Sequence, residues 1–253
     1  MSTNTTEQAA SKVPEVTLLF WVIKIAATTL GETAGDAVSM SMHLGYLIST
    51  VIFGLLFLGA VTAQIKARRF HPALYWATII ATTTVGTTLA DFADRSLGIG
   101  YAGGATLLFA LLMASLLIWH RSMGSVAIDS VHTPKAETFY WVTIMFSQTL
   151  GTALGDWTAD SAGLGYRGGA LVFGALLAVV AAAYFWTRIS RTALFWAAFI
   201  LTRPLGAVVG DFLDKPRSSG GLSLSRYVAS AAIFLFITAC ILLFKQRAAS
   251  KAH

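Results

Sequence analysis

Four tryptophans, Trp21, Trp76, Trp141 and Trp196, each begin the same count: a glycine ten residues on (Gly31, Gly86, Gly151, Gly206) and an aspartate fifteen on (Asp36, Asp91, Asp156, Asp211). A register kept four times restricts the chain to a repeat architecture in which every unit solves the same packing problem. Ten residues past the first three aspartates stand Tyr46, Tyr101 and Tyr166, each after a glycine and each opening a second apolar stretch. In the fourth unit Tyr227 takes that place, after a six-residue insertion around KPRSSGG. The predicted unit is a helix, a short acidic turn and a return helix. The tryptophans are 55, 65 and 55 residues apart, and the extra ten residues fall in HRSMGSVAIDSVHTPKAE, 120–137, which joins two halves.

Composition decides where such units sit. Hydrophobic residues make up 56% of the chain, charged residues only 12%, and the mean hydropathy is +0.69. An ordinary soluble domain carries roughly a quarter charged residues. About 20 apolar residues cross a bilayer as a helix, and stretches of that length lie near 16–35, 44–65, 72–90, 100–119, 138–155, 166–187, 192–210 and 227–244. The expectation is an all-α integral membrane protein with eight transmembrane helices, arranged as four parallel-oriented helical hairpins in 2+2 halves. Its parts are a polar tail (1–15), repeat 1 (16–70), repeat 2 (71–125), an inter-half loop (126–137), repeat 3 (138–190), repeat 4 (191–246) and a basic tail (247–253). The first residues lack the basic start and cleavage site of a secretory signal. A single cysteine, Cys240, excludes an internal disulfide.

Each unit crosses an even number of times, so all four share one orientation. Eleven Lys and Arg residues lie on the side of the termini and five on the side of the acidic turns. The positive-inside rule then puts both termini in the cytoplasm. Eight of the twelve carboxylates gather at the other side: Glu32, Asp36, Asp91, Asp94, Asp156, Asp160, Asp211 and Asp214. The net charge of +6 reads as a topology signal, and nucleic acid is not an expected partner. The lipid bilayer is.

Residues four and seven before each aspartate share its helical face: Glu32 and Thr29, Thr87 and Thr84, Thr152 and Thr149, Ala207 and Pro204. Eleven and fourteen before lie Ile25 and Val22, Ile80 and Ala77, Met145 and Val142, Ile200 and Ala197. If the faces converge, Asp36, Asp91, Asp156, Asp211, Glu32, Thr29, Thr84, Thr87, Thr149 and Thr152 line an oxygen-rich vestibule above an apolar constriction. Such oxygens suit a hard cation, a proton or a small cationic solute. The other reading makes each aspartate a cap for its own turn, and each threonine a donor to the preceding turn's carbonyl. Gly31/Gly35, Gly86/Ala90, Gly151/Gly155 and Gly206/Gly210 read as close helix packing. Trp21, Trp76, Trp141, Trp196, Trp119, Trp186, Tyr46, Tyr101, Tyr166 and Tyr227 read as interface anchors, and Lys24 as a snorkelling cation. Arg203, beside the helix-kinking Pro204, is expected to pair with Glu32 as a gating ion pair, which would make the first and fourth units neighbours.

The four Trp…Gly-Asp units resemble a bacterial integral-membrane family built from four tandem two-helix repeats, described as uncharacterised membrane-anchored proteins, over residues 16–245. The resemblance implies this architecture and a bacterial inner (plasma) membrane location, and brings no activity, cofactor or catalytic residue. The leading expectation is a transporter or channel-like permease for a cation or small cationic solute, proton-coupled in one form. The alternative is a membrane-embedded binding or assembly subunit. An intramembrane aspartyl enzyme is disfavoured because Gly-Asp repeats in like contexts with no Tyr-Asp partner, and the five histidines show no metal-ligand spacing. No cofactor is expected.

Overall fold

The computed structural model describes residues 11–250. Residues 1–10 of the expected N-terminal tail, and 251–253 with Lys251 and His253, lie outside the described residues. Eight α-helices follow one another: α1 (Leu18–Asp36), α2 (Gly45–Lys66), α3 (Pro72–Asp91), α4 (Tyr101–Met123), α5 (Pro134–Asp156), α6 (Gly165–Trp186), α7 (Arg191–Asp214) and α8 (Arg226–Leu243). The starts carry their causes in sequence. Thr17, Thr133 and Ser190 accept from the amides of Phe20, Ala136 and Ala193, and Pro72 and Pro134 occupy first-turn positions that need no amide donor. Gly124 ends α4 at φ +77°.

The acidic turn is more structured than a loop. In the first three units the α-helix passes directly into a π-helix, Ala37–Ser41, Phe92–Ser96 and Trp157–Ser161, with the aspartate at the junction. The chain then reverses through Gly45, Gly100 and Gly165, at φ +73°, +78° and +64°. Only glycine takes that conformation at no steric cost, which explains the glycine before each tyrosine. The fourth unit departs: α7 runs on to Asp214, and its insertion turns instead through Gly220 at φ +86° and Ser223 at φ +57°.

The first helices of the units, α1, α3, α5 and α7, form a ring in that order, α7 closing against α1. Each second helix packs mainly on the first helix of the following unit: α2 on α3, α4 on α5, α6 on α7, and α8 back on α1. The four hairpins are therefore interlocked, and the chain's last helix packs on its first unit. Six helices, α1, α2, α4, α6, α7 and α8, are long and apolar enough to cross a membrane. The other two, α3 and α5, are not; α3 alone carries six threonines. Both lie in the inner ring, where polar side chains meet protein.

Small residues set the ring's closeness, and each expected pair faces the next inner helix. A methyl on Gly31 would meet the side chain of Thr83, and one on Gly35 would come within 3.1 Å of Thr87, so this pair seats α3 on α1. On α5, a methyl on Gly151 would meet Arg203 and one on Gly155 would lie 3.0 Å from the Ala207 Cβ, both of α7. On α7, a methyl on Gly206 would lie 2.8 Å from the backbone of Thr28, and one on Gly210 would lie 2.6 Å from the Glu32 Cβ, both of α1. The α3 pair differs. A methyl on Gly86 would come within 3.1 Å of Gln148 of α5, but Ala90, 2% exposed, already carries its methyl inside the packed bundle. The second position of that pair thus holds a Cβ where one at Gly35 or Gly155 would be tight and one at Gly210 would clash, so the four pairs are not equivalent there.

The obstacle at Gly206 is the Thr28 side chain together with its main chain, and the main-chain part cannot swing aside. Gly206→Ala is expected to cost about 1–3 kcal/mol, whereas Gly174→Ala in α6, with nothing within 4 Å, should be neutral or slightly stabilising. Thermal unfolding of the two variants in one detergent checks this.

The tryptophans require a correction. Of the six expected as anchors, Trp76, Trp119, Trp141 and Trp196 are buried, Trp21 is half-buried, and Trp186 is exposed, at 84%. The buried indoles pack edge-to-face or tilted against one another and against Phe20, Tyr75, Tyr140 and Phe195. The indole of Trp76 donates to Gln246 Oε1 (2.8 Å) and that of Trp196 to the Val126 carbonyl (3.0 Å). The reason is a roof absent from the repeat pattern, in which the segments near 11–15, 126–133 and 246–249 knit together over this end. The amides of Glu15 and Ala249 donate to the carbonyls of Arg247 and Val13, and that of Lys12 to Val131. Lys12 Nζ lies 2.7 Å from Glu137. Of the tyrosine anchors, Tyr46, Tyr101 and Tyr166 are half-buried and Tyr227 is exposed.

Candidate functional site

Counted from each tryptophan, the residues at −1, +3, +7, +11 and +15 are all at most 3% exposed in all four units. They stack into five layers inside the ring. From the roofed end these are Phe20/Tyr75/Tyr140/Phe195, Lys24/Ile79/Ile144/Phe199, Thr28/Thr83/Gln148/Arg203, Glu32/Thr87/Thr152/Ala207 and Asp36/Asp91/Asp156/Asp211. The inward stripe thus steps by four residues throughout. A step of four overshoots a turn by about 40°, so the stripe winds round each helix and the helices cross the ring axis obliquely along their i±4 ridges.

That winding corrects the expected constriction. A stripe running straight along the helix places Ile25, Val22, Ala77 and Val142 inward, yet Val22 and Val142 are 39% and 43% exposed, Ala77 is exposed and Ile25 is half-buried. The inner half of the axis carries an apolar layer of Ile79, Ile144 and Phe199 broken by Lys24, and beyond it Thr28, Thr83 and Gln148. Lys24 does not snorkel: it is fully buried, with Nζ 4.1 Å from the centre of the Phe199 ring.

Arg203 is the hub. From α7 its Nη2 donates to Glu32 Oε2 of α1 (2.9 Å), Thr87 Oγ1 of α3 (2.6 Å) and Thr152 Oγ1 of α5 (2.5 Å), so one guanidinium ties all four inner helices. Pro204 follows it inside α7. The remaining candidate threonines, Thr29, Thr84 and Thr149, are buried and donate to the carbonyls of Ile25, Ile80 and Met145 four residues back. Their hydroxyl protons serve their own helices.

Two turns beyond Arg203 the four aspartates converge, and none of Asp36, Asp91 and Asp156 caps the π-helix it precedes. Basic side chains hold them in two cross-unit pairs. Arg95 binds Asp91 four residues before it (Nε to Oδ1, 2.7 Å) and Asp156 of the next unit (Nη2 to Oδ2, 3.3 Å). Lys215 binds Asp211, again four residues before (3.0 Å), and Asp36 of the next unit around the ring. The same count in the first and third units falls on Met40 and Asp160. The acidic layer therefore has twofold rather than fourfold chemistry, each clamp spanning a unit boundary. Arg226 adds a contact to Asp214 (2.9 Å) and lies 3.8 Å from Asp36. Arg95, Lys215 and Arg226 were not among the expected site residues; the i,i+4 spacing of the first two from their aspartates was the available signal.

One carboxylate oxygen each of Glu32, Asp36 and Asp211 lies within 4.8 Å of the others, a spacing that could hold a metal ion. The Lys215 ammonium binds two of the three. The clamp is thus a cation tethered at a site suited to cations.

An interlocked ring of four two-helix units around a buried, ion-paired acidic layer defines a class of helical repeat protein made by internal quadruplication. The chain belongs to the DUF347 family, described as a Repeat of Unknown Function, which matches it at residues 19–70, 74–125, 139–190 and 194–249. No curated protein and no solved structure matches it.

Proposed function

We propose that this protein is an eight-span membrane permease for a hard cation or small cationic solute, with the axial aspartates as its binding layer and Arg95 and Lys215 as tethered gates. The carrying observation is the convergence of the four unit-end aspartates on one buried layer in which acid exceeds base. Glu32, Asp36, Asp91, Asp156, Asp211 and Asp214 face Arg95, Arg203, Lys215 and Arg226, six carboxylates against four cations. Buried charges of one sign in excess are costly unless a counter-ion or a proton accompanies them. A mobile cation that displaces a clamp would gain two prearranged carboxylates.

The membrane setting is supported by the outer helices, whose exposed side chains are large and apolar, as with Leu47, Ile48, Val51 and Leu55 of α2. The two Thr-rich or polar helices, α3 and α5, gain their place as spans from shielding by the others. The excess of basic residues beside the termini supports cytoplasmic termini, and the family resemblance is the ground for a bacterial inner membrane. Purified protein in vesicles should pass a monovalent or divalent cation. Replacing Asp36, Asp91, Asp156 and Asp211 together by asparagine should remove most of that flux, for loss of charged ligands. Flux equal to wild type in the quadruple variant would remove the acidic layer from the mechanism.

A further inference from the structure

We infer that the ring axis conducts protons along its whole length and that Lys24 is the group that carries them past the middle. This deepens the permease reading and rests on it: the axis supplies the coupling ion. Every one of the five buried layers holds at least one group able to give and take a proton or a hydrogen bond. The Tyr75 and Tyr140 hydroxyls lie 2.6 Å apart at the roofed end, followed by Lys24, then Thr83 and Gln148 beside Arg203, then Glu32, then the aspartates. Four residues of helix separate successive layers by about 6 Å, close enough for a swinging side chain to reach from one to the next.

Lys24 stands out among them. It is fully buried, no carboxylate lies within ion-pair distance among the described residues, and its Nζ has no hydrogen-bond partner there. An ionisable side chain deep in such a bundle is costly and marks an ion or proton path. The groups facing this part of the axis are few. On α1 itself the nearest carboxylate in the stripe is Glu32. From α3 come Ile79 and Tyr75, from α5 Ile144, Gln148 and Tyr140, and from α7 Phe199 and Arg203; α8, also packed on α1, has only Tyr227 and Cys240 as titratable groups besides Arg226. The Thr83 hydroxyl and both polar atoms of the Gln148 side chain also have no partner among the described residues. Their layer lies between those of Lys24 and Glu32, and a hydroxyl there can accept one proton while donating another. In the inward step the O–H bond of a protonated Glu32 breaks and, through that layer, an N–H bond forms on the Lys24 amine. The ammonium then loses the proton toward the tyrosine pair, restoring the amine, and Glu32 is recharged from the aspartate layer.

The test uses the full chain in vesicles with a trapped pH dye, a potential imposed by potassium and valinomycin, and wild type beside Lys24→Met, Lys24→Arg and Lys24→His. Arginine keeps charge and bulk but does not release its proton. Wild type should acidify, Lys24→Met and Lys24→Arg should each lose about a hundredfold of the proton flux, and Lys24→His should keep a measurable part. Thermal unfolding keeps this readable: Lys24→Met should melt at or above wild type, since no ion pair is lost. Proton flux in Lys24→Arg or Lys24→Met equal to wild type overturns the inference. Cation flux through wild type without proton flux also overturns it and leaves the permease reading standing; absence of both defeats the two together.

Discussion

Arg203→Met should lower folding stability by about 3–5 kcal/mol, the cost of stranding one member of a buried ion pair, and should be the most damaging single substitution in the chain. Arg203 is fully buried and its guanidinium bonds Glu32, Thr87 and Thr152, one residue on each of the other inner helices. Without it the Glu32 carboxylate, 2% exposed, has the two neighbouring aspartates Asp36 and Asp211 within reach and no cation of its own. Removing both charges reverses most of this, because a buried pair contributes little net stability over a neutral replacement. Arg203→Met with Glu32→Gln should therefore unfold within about 1–2 kcal/mol of wild type. Denaturant unfolding of the singles and the double in detergent measures the coupling. A double variant no better than Arg203→Met would show that the arginine's value lies in packing against Gly151 and not in its charge.

Lys215→Met should convert the protein into a measurable cation binder. The substitution removes the ammonium from Asp36 and Asp211 and leaves three carboxylates, those two and Glu32, with oxygens within 4.8 Å of one another. Calcium takes six to eight such oxygens in flexible geometry. In chelator the variant should be less stable than wild type by about 3 kcal/mol, the lower part of the range for breaking a buried pair. At a calcium concentration of about a hundred times Kd it should recover about 2.7 kcal/mol. Wild type should respond far less, since Lys215 already occupies the site. Arg95→Met, its twofold counterpart, should behave likewise through Asp91 and Asp156. Equal calcium responses in wild type and both variants would show that the clamps and an external cation do not compete.

The repeat itself was legible because it is one-dimensional. Trp, Gly and Asp recur at fixed counts, and the helix boundaries follow from Thr133, Pro134, Gly100 and similar local signals that act within a turn of where they stand. The small-residue pairs were legible for the same reason, although only contact with the neighbouring helix shows that Ala90 fits where a methyl on Gly35 or Gly155 would be tight and one on Gly210 would clash. The pairing of Arg203 with Glu32 was legible for a different reason: two lone charges in apolar segments have few other places to go. What escaped was three-dimensional. Nothing near α2 says that it will lie on α3, because that choice is made by the ring and not by the acidic turn that precedes it. The inward stripe was drawn straight, as a single helix presents it, and so missed Lys24 and Gln148; oblique helices in a ring show each other every fourth residue instead. Trp76 and Trp196 looked like interface anchors because the segments that roof them, around Val126 and Gln246, carry no repeat signal. Arg95 and Lys215 were counted by side of the membrane, which hid their common register four residues past an aspartate.

All of this depends on the four units closing into one ring with their acidic corners inward, and closure is decided where the last helix meets the first. Ser230 of α8 donates to Thr33 of α1 at 2.9 Å. In a Cys240→Ser background, cysteines at 33 and 230, with a protease site in the exposed turn near 68–69, should form a disulfide on mild oxidation. The cleaved fragments should then run together on a gel without reductant and separate with it. Fragments that separate under both conditions, in protein that is otherwise folded, would contradict the closed ring and with it the shared acidic layer.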